Sequence, residues 1–322
     1  MNVTVLGSGR WGTFLAVYHS RKNNVMLWGR KDSKGFNRLV TERKNSYLEL
    51  PDELVLESDL EKALNHSDYV VISISAQQLR NLCENINKYD VNGKTFILCM
   101  KGVESRTGER LTQVFKEIVK QNVNVCVWVG PGHVQDFMAG IPNCMVVDSE
   151  DKAVTYDVVN KFSGDLIRLY IGNDIIGTEI GAAAKNVIGI AAGMLDGENL
   201  SSLKGALMAR GAREVSRLIS AIGGNELSAY GLSHLGDYEA TLFSHHSQNR
   251  MFGECLVTGK PYEKLAEGAA TVKALMKLSK EYSVELPISN AIYSIIYEGL
   301  DPKIALNKLF SRDVKEEFLN NY

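Results

Sequence analysis

The chain of 322 residues is 45% hydrophobic and 23% charged, with a net charge of −2 and a pI of about 6.3. That length buries most of its apolar surface and favours two domains over one. The balanced charge excludes the basic surplus of a nucleic-acid or membrane-surface binder. No stretch reads as the ~20 apolar residues of a membrane span, and a strand-like run begins at the second residue where a leader would lie, so a cytoplasmic protein is expected. The five cysteines form no CxxC pair and the six histidines no HxxxH or HExxH. Reduced core cysteines and no metal site are therefore expected.

Asn2–Leu6 leads into Gly7-Ser8-Gly9-Arg10-Trp11-Gly12, and residues 13–21 then carry helix periodicity. A GxGxxG between a strand and a helix predicts dinucleotide binding. Gly7 makes the turn, Gly9 lets the backbone approach a pyrophosphate, Gly12 lets helix and strand pack, and the helix N-terminus faces the anion. The next strand, residues 25–28, ends at Gly29-Arg30-Lys31-Asp32, where the adenosine ribose would lie. An arginine there suits NADP and an acid suits NAD, so Arg30 and Lys31 keep NADP open while Asp32 keeps NAD open.

Strand-length apolar runs follow at 69–74, 95–100, 123–129, 144–147 and 166–171, most with helical or turn-rich segments between. This pattern predicts an α/β fold with a doubly wound, mostly parallel sheet of Rossmann type, with ligands beyond the carboxyl ends of the strands. The residues at those ends are Ser73, Ser75, Lys101-Gly102 and Gly130-Pro131-Gly132-His133. Lys101 is either a surface lysine or a contact for a phosphate or carboxylate. His133 reads first as a packed or solvent-facing side chain.

Past residue 171 the strand pattern gives way to helices, over 200–222, around 256–281 and over 288–300. The expected organisation is a dinucleotide-binding domain over 1–172 and an all-helical domain over 173–322. The second begins with a distinctive stretch, in which Gly177, Gly181, Gly189 and Gly193 recur at steps of four and Lys185 fills the missing step. Steps of four lie along one helix ridge, and each interior glycine costs roughly 0.5–1 kcal/mol against alanine, so something must approach that face closely. A lysine amid alanines and isoleucines favours its neutral form, as a proton-transferring lysine requires; the plainer alternative is a packed helix whose lysine escapes to solvent. Placed at the junction, this helix fits a wall of the cofactor cleft. Residues 235–241 and 247–250 read as polar turns.

Taken together, GSGRWGT at 7–13, KGVE at 101–104, GPG at 130–132, EIGAAAKNVIGIAAG at 179–193, LGD at 235–237 and Asn249-Arg250 resemble the bacterial-type NAD(P)-dependent glycerol-3-phosphate dehydrogenases. The resemblance spans most of the chain and implies a Rossmann-type domain followed by an all-α domain. It implies hydride transfer between NAD or NADP and dihydroxyacetone phosphate, giving sn-glycerol 3-phosphate, a precursor of glycerophospholipids, in a homodimer. Lys185 is then the proton donor and acceptor, with Asp237 beside it. Cofactor contacts fall to Gly7, Ser8, Gly9, Arg10, Trp11, Gly12, Arg30, Lys101, Val134, Asn249 and Glu267. Substrate contacts fall to Lys101, Gly130, Gly132, Lys185, Asn186, Asp237, Thr241, Ser247, Asn249 and Arg250.

Two positions depart from the family pattern. Gln248 stands where members carry an arginine that helps hold the substrate phosphate, and Arg250 is about 200° further round a helix, at 100° per residue. Gly132 stands where a serine is common. Both bear on the substrate, so a related two-domain dehydrogenase for another phosphorylated polyol or a β-hydroxyacid is the nearest rival. A non-catalytic dinucleotide sensor is the rival from another class.

Overall fold

The computed structural model describes residues 1–313, 316 and 317. Its strands are β1 (Asn2–Leu6), β2 (Asn24–Trp28), β3 (Val55–Glu57), β4 (Tyr69–Ile72), β5 (Thr95–Leu98), β6 (Asn124–Val129), β7 (Asn143–Asp148) and β8 (Ile167–Ile171). They form one sheet in the order β3-β2-β1-β4-β5-β6-β7-β8. Every neighbouring pair is parallel except β6 and β7. The central strands are apolar on both faces, with Val70, Val71 and Ile72 of β4 and Phe96, Ile97 and Leu98 of β5 fully buried, because helices cover both sides. One face packs around Phe14, Trp128 and Phe162. The other packs around Leu79, Phe96 and Phe115.

The expected α/β fold with a mostly parallel sheet followed by helices is what the chain adopts. Several local expectations are corrected. Strand β3 is additional: it is a three-residue edge strand of mixed composition with Val55 exposed, too short for a period to register. The single helical segment read around 256–281 is two helices, Gln248–Thr258 and Glu267–Glu281. Gly259 ends the first in a left-handed conformation with φ +69°, and Pro261 follows. A further helix, Pro302–Phe310, starts on its proline.

The Lys185 helix runs Ile175–Gly197. Asp174 starts it, accepting from the Gly177 amide at 3.1 Å. The glycine ridge is met by protein at each step, while Asn186 of the same helix lines the cleft. A Cβ on Gly193 would lie 1.8 Å from the Arg250 carbonyl oxygen, and one on Gly253 would lie 2.0 Å from that of Ile190. The helix Gln248–Thr258 therefore touches it backbone to backbone. Ser228 closes on Gly177, Ser233 and His234 on Gly181, and Thr241 on Gly189. The expectation that no stretch reaches membrane-spanning length is also corrected. This helix is long and apolar enough by composition, but 89% of its most apolar window is buried inside the protein, as a core helix is.

Candidate active site

In an open parallel sheet the ligand crevice opens where strand order reverses, here between β1 and β4. At that point Gly7 takes φ +119°, and a Cβ on it would strike the Ser73 carbonyl oxygen at 2.1 Å. A Cβ on Gly12 would lie 2.0 Å from the Gly7 carbonyl oxygen, so the turn and the helix Arg10–Ser20 close on each other. Gly9 differs. Its φ is −73°, and a Cβ would meet nothing within 4 Å, so its bare side is open beside Arg10 and Trp11 of the cleft. The cleft holds about 300 Å³ and is lined by Arg10, Trp11, Lys101, Asn186, Asn249 and Glu267, among others.

Two cleft residues carry unmet bonding capacity. Arg10 opens its helix, where the dipole disfavours a cation, and its Nε and Nη2 are buried without a hydrogen-bond partner. Its guanidinium lies 5.6 Å from the centre of the Tyr47 ring. Glu267 opens the helix Glu267–Glu281, and its Oε2 is likewise buried and unpartnered. Burial lifts the Glu267 carboxyl above its ordinary range, opposed by Ser75 and the Ala76 amide. An unpaired cation at a helix N-terminus, beside an open glycine turn, fits the pyrophosphate of a dinucleotide. Arg30 lies past β2, with a largely exposed side chain 3.7 Å from Asp32, outside this lining. Ser8 borders the turn, its hydroxyl 2.8 Å from where a Gly29 Cβ would be.

Lys101, in the cleft lining, leads to a buried charged centre. Asp237, 1% exposed in its side chain, accepts through one oxygen from two lysines, Oδ2 standing 2.8 Å from Lys185 Nζ and 2.7 Å from Lys101 Nζ. Its Oδ1 is buried and unpartnered. Lys185 also donates to Thr241 Oγ1 at 2.7 Å, whose own proton goes to the Asp237 carbonyl at 2.6 Å. Burial lowers the Lys185 ammonium to a pKa of about 8; Asp237 opposes that fall and Lys101 adds to it. The lysine therefore does not escape to solvent. Lys101 donates also to the Gly130 carbonyl at 2.6 Å, tying β5 to the end of β6.

Amides knit the two halves across the cleft. Asn186 Nδ2 donates to the Lys101 carbonyl at 2.9 Å, Asn249 Nδ2 donates to Asn186 Oδ1 at 3.0 Å, and the Gly268 amide donates to Asn249 Oδ1 at 2.9 Å. His133 Nε2 donates to the Ala240 carbonyl at 2.7 Å, and burial lowers its pKa. Val134 is buried and borders the cleft. Gly132 takes φ +147°, and a Cβ there would enter the Phe137 ring at 2.4 Å, so a serine is disfavoured at this position.

Two expected substrate contacts, Arg250 and Ser247, have protein partners, as does Gln248 between them. Arg250 Nε binds Asp196 Oδ2 at 2.6 Å and its Nη1 lies 3.3 Å from Glu254. Its guanidinium belongs to a buried network with Lys204, and it does not take over for the arginine that Gln248 replaces. Ser247 Oγ caps the helix Gln248–Thr258 by accepting from the Arg250 amide. Gln248 Oε1 accepts from the Tyr262 hydroxyl at 3.1 Å. Cys99, Met100 and Met145 also line the cleft and were not anticipated. The first two lie where the 95–100 run meets the strand end and were readable. Met145 comes from the antiparallel β7, which strand-end reasoning for a parallel sheet does not reach.

The fold and cleft define a Rossmann-type dinucleotide-binding protein whose helical half brings a buried lysine to the cofactor crevice. Family models for the N-terminus and the C-terminus of NAD-dependent glycerol-3-phosphate dehydrogenase match residues 2–155 and 174–307. The chain is 34% identical over 328 residues to the glycerol-3-phosphate dehydrogenase [NAD(P)+] of Clostridium botulinum (strain Eklund 17B / Type B), covering 98% of each. It is 35% identical to that of Thermoanaerobacter sp. (strain X514), covering 98% of this chain and 99% of the relative. Among solved structures, glycerol-3-phosphate dehydrogenase from Coxiella burnetii superposes with a TM-score of 0.89 at 27% identity, covering 97% of this chain and 99% of that one. The chain belongs to the NAD-dependent glycerol-3-phosphate dehydrogenase family.

Proposed function

We propose that the protein reduces dihydroxyacetone phosphate to sn-glycerol 3-phosphate with NADH or NADPH, and runs the reverse reaction with the oxidised cofactor. The supporting observation is the bonding of Lys185 Nζ. An ammonium has three N–H donors; Asp237 Oδ2 and Thr241 Oγ1 take two, leaving one for a substrate oxygen.

The bound nicotinamide supplies the hydride. Lys185 as ammonium stabilises the charge that develops on the carbonyl oxygen and hands it a proton; as neutral amine it takes the proton back in oxidation. Asp237 Oδ1, buried and unpartnered, is the acceptor left for a substrate hydroxyl. Arg10 and the Gly7–Gly12 turn would hold the pyrophosphate, and the Asn186–Asn249 amides fix the wall between the two halves. Reduction needs the ammonium, so its rate falls as pH rises through about 8; oxidation rises over the same window.

The tethering of Gln248 to Tyr262 favours a second reading, in which a related polyol phosphate or β-hydroxyacid is the substrate. Both readings need Lys185 and Asp237, whereas a dinucleotide sensor needs neither. The test follows loss of NADH and, separately, NADPH absorbance on adding dihydroxyacetone phosphate, with dihydroxyacetone as control. Turnover that requires the phosphate supports the first reading. Cofactor binding without turnover on either ketone sinks it. Family resemblance further supports a cytoplasmic homodimer that feeds glycerophospholipid synthesis; light scattering on the purified chain checks the dimer.

A further inference from the structure

The helical half buries a second pair of polar side chains beside the lysine centre, and the proton transfer does not use them. His234 and Tyr238 are both 0% exposed and flank Asp237 in the chain. His234 Nδ1 donates to the Gly181 carbonyl at 2.8 Å, one turn before Lys185 on the same helix. The Tyr238 hydroxyl, at 2.6 Å, donates to His234 Nε2. A carbonyl only accepts, so these partners assign the imidazole proton to Nδ1. Burial takes His234 down to a pKa of about 4, which keeps it neutral across the working range.

Two glycines on two helices make room for the pair. A Cβ on Gly181 would come within 3.0 Å of His234 Cβ, and one on Gly211, in the helix Lys204–Ile222, within 3.1 Å of the Tyr238 hydroxyl. Glycine inside a helix is destabilising, and here it recurs at both points where these rings dock. The rings themselves meet edge to face at 4.8 Å.

We infer that His234, braced by Tyr238, is the positioning residue that registers the Asp237 turn against the Lys185 helix and so holds the carboxylate on the reacting ammonium. The inference rests on Lys185 being the proton donor. Asp237 enters from a three-residue turn, Leu235–Asp237, which has too little structure of its own to hold a 2.8 Å ion pair in place. The histidine ties that turn to the helix backbone through a bond sealed from water. The groups acting on Lys185 Nζ are Asp237, Lys101 and Thr241, with the imidazoles of His133 and His234 nearby. Of these Asp237 alone carries negative charge. Releasing it lowers the lysine pKa further and moves the alkaline fall of the reductive rate to lower pH.

The test uses the full chain with NADH and dihydroxyacetone phosphate, comparing His234→Leu, His234→Asn and Tyr238→Phe. His234→Leu is expected to lower kcat at least tenfold and to shift the alkaline limb down, with the NADH dissociation constant within twofold of the unaltered protein. His234→Asn keeps an N–H for the Gly181 carbonyl and is expected to recover most of the rate; Tyr238→Phe loses a few-fold. A leucine variant with normal kcat and an unmoved limb overturns the inference, as does a folded asparagine variant no faster than the leucine one. If the leucine variant does not fold, Tyr238→Phe decides, and an unmoved limb there is the overturning result. Lys185→Ala is run alongside. Its activity would sink the lysine reading itself, whereas an inactive Lys185→Ala beside an unaffected His234→Leu sinks only the positioning role. Should the unaltered protein not turn over this ketone, the pH dependence of Lys185 labelling by acetic anhydride replaces the rate, with the same expected shift.

Discussion

Two carboxylates of this helical half, the half-buried Asp196 and the buried Asp237, each sit between two cations, and they are built differently. Asp196 accepts from Lys204 and Arg250 through Oδ2, each at 2.6 Å, and from Ser201 through Oδ1 at 2.6 Å. Lys204 spends another N–H on the Leu242 carbonyl at 2.9 Å. Burial alone would raise the Asp196 carboxyl, but Lys204, Ser201 and Arg250 outweigh it and hold it below its ordinary range. Asp237 also takes two cations on one oxygen, yet its other oxygen has no partner, and burial lowers the pKa of the lysine beside it. The saturated cluster can only hold helices together. The unsaturated one meets the cleft through Lys101 and keeps a donor and an acceptor free, which is the condition for chemistry.

Substitutions that exchange the two behaviours test this contrast. Asp237→Asn is expected to lower kcat for reduction by about a hundredfold, within the ~10²–10⁴ range of general acid–base contributions. Without its carboxylate the Lys185 pKa falls further, so the surviving activity should decline at lower pH; a pH–rate profile reads both effects. Asp196→Asn leaves Lys204 and Arg250 facing a neutral amide. Breaking a buried ion pair costs about 3–5 kcal/mol, so the melting temperature should drop sharply while kcat of the folded fraction stays within a few-fold. Gly253→Ala drives a methyl against the Ile190 carbonyl. It should part the two glycine-packed helices, costing stability and, because Asn249 lies on the moved helix, raising KM several-fold. The smallest effect is expected for Arg10→Gln. Losing one cation near the pyrophosphate should weaken NADH and NADPH binding alike by roughly tenfold or less, at most about 1.4 kcal/mol. Titration of cofactor fluorescence measures it. A loss confined to NADPH would instead place Arg10 at the 2′-phosphate.

Much of the fold was legible because its signals are local. The β-branched run at Asn2–Leu6, the glycine turn after it and the four-residue glycine step around Lys185 each lie within one element. What was missed depends on distance. Nothing near Asp196 announces Lys204 and Arg250, and the substrate role expected of Arg250 rested on sequence neighbourhood while its guanidinium turns to Asp196. Glycine spacing showed that the Lys185 helix is closely approached but could not say by what; the answer, the Arg250 backbone, lies more than fifty residues on. The pairing of Lys101 with Asp237 crosses from sheet to helices and has no sequence spacing to read. His234 lies one residue before the stretch read as a polar turn and drew no reading of its own; its meaning comes from the Gly181 carbonyl it reaches.

The most direct measurement is turnover of Lys185→Ala with dihydroxyacetone phosphate, taken beside its NADH dissociation constant. With Lys185 as proton donor, NADH binds as it does to the unaltered protein and the rate falls more than a hundredfold. A variant that keeps over a tenth of the rate would show that the proton comes from elsewhere and that the buried lysine serves packing alone.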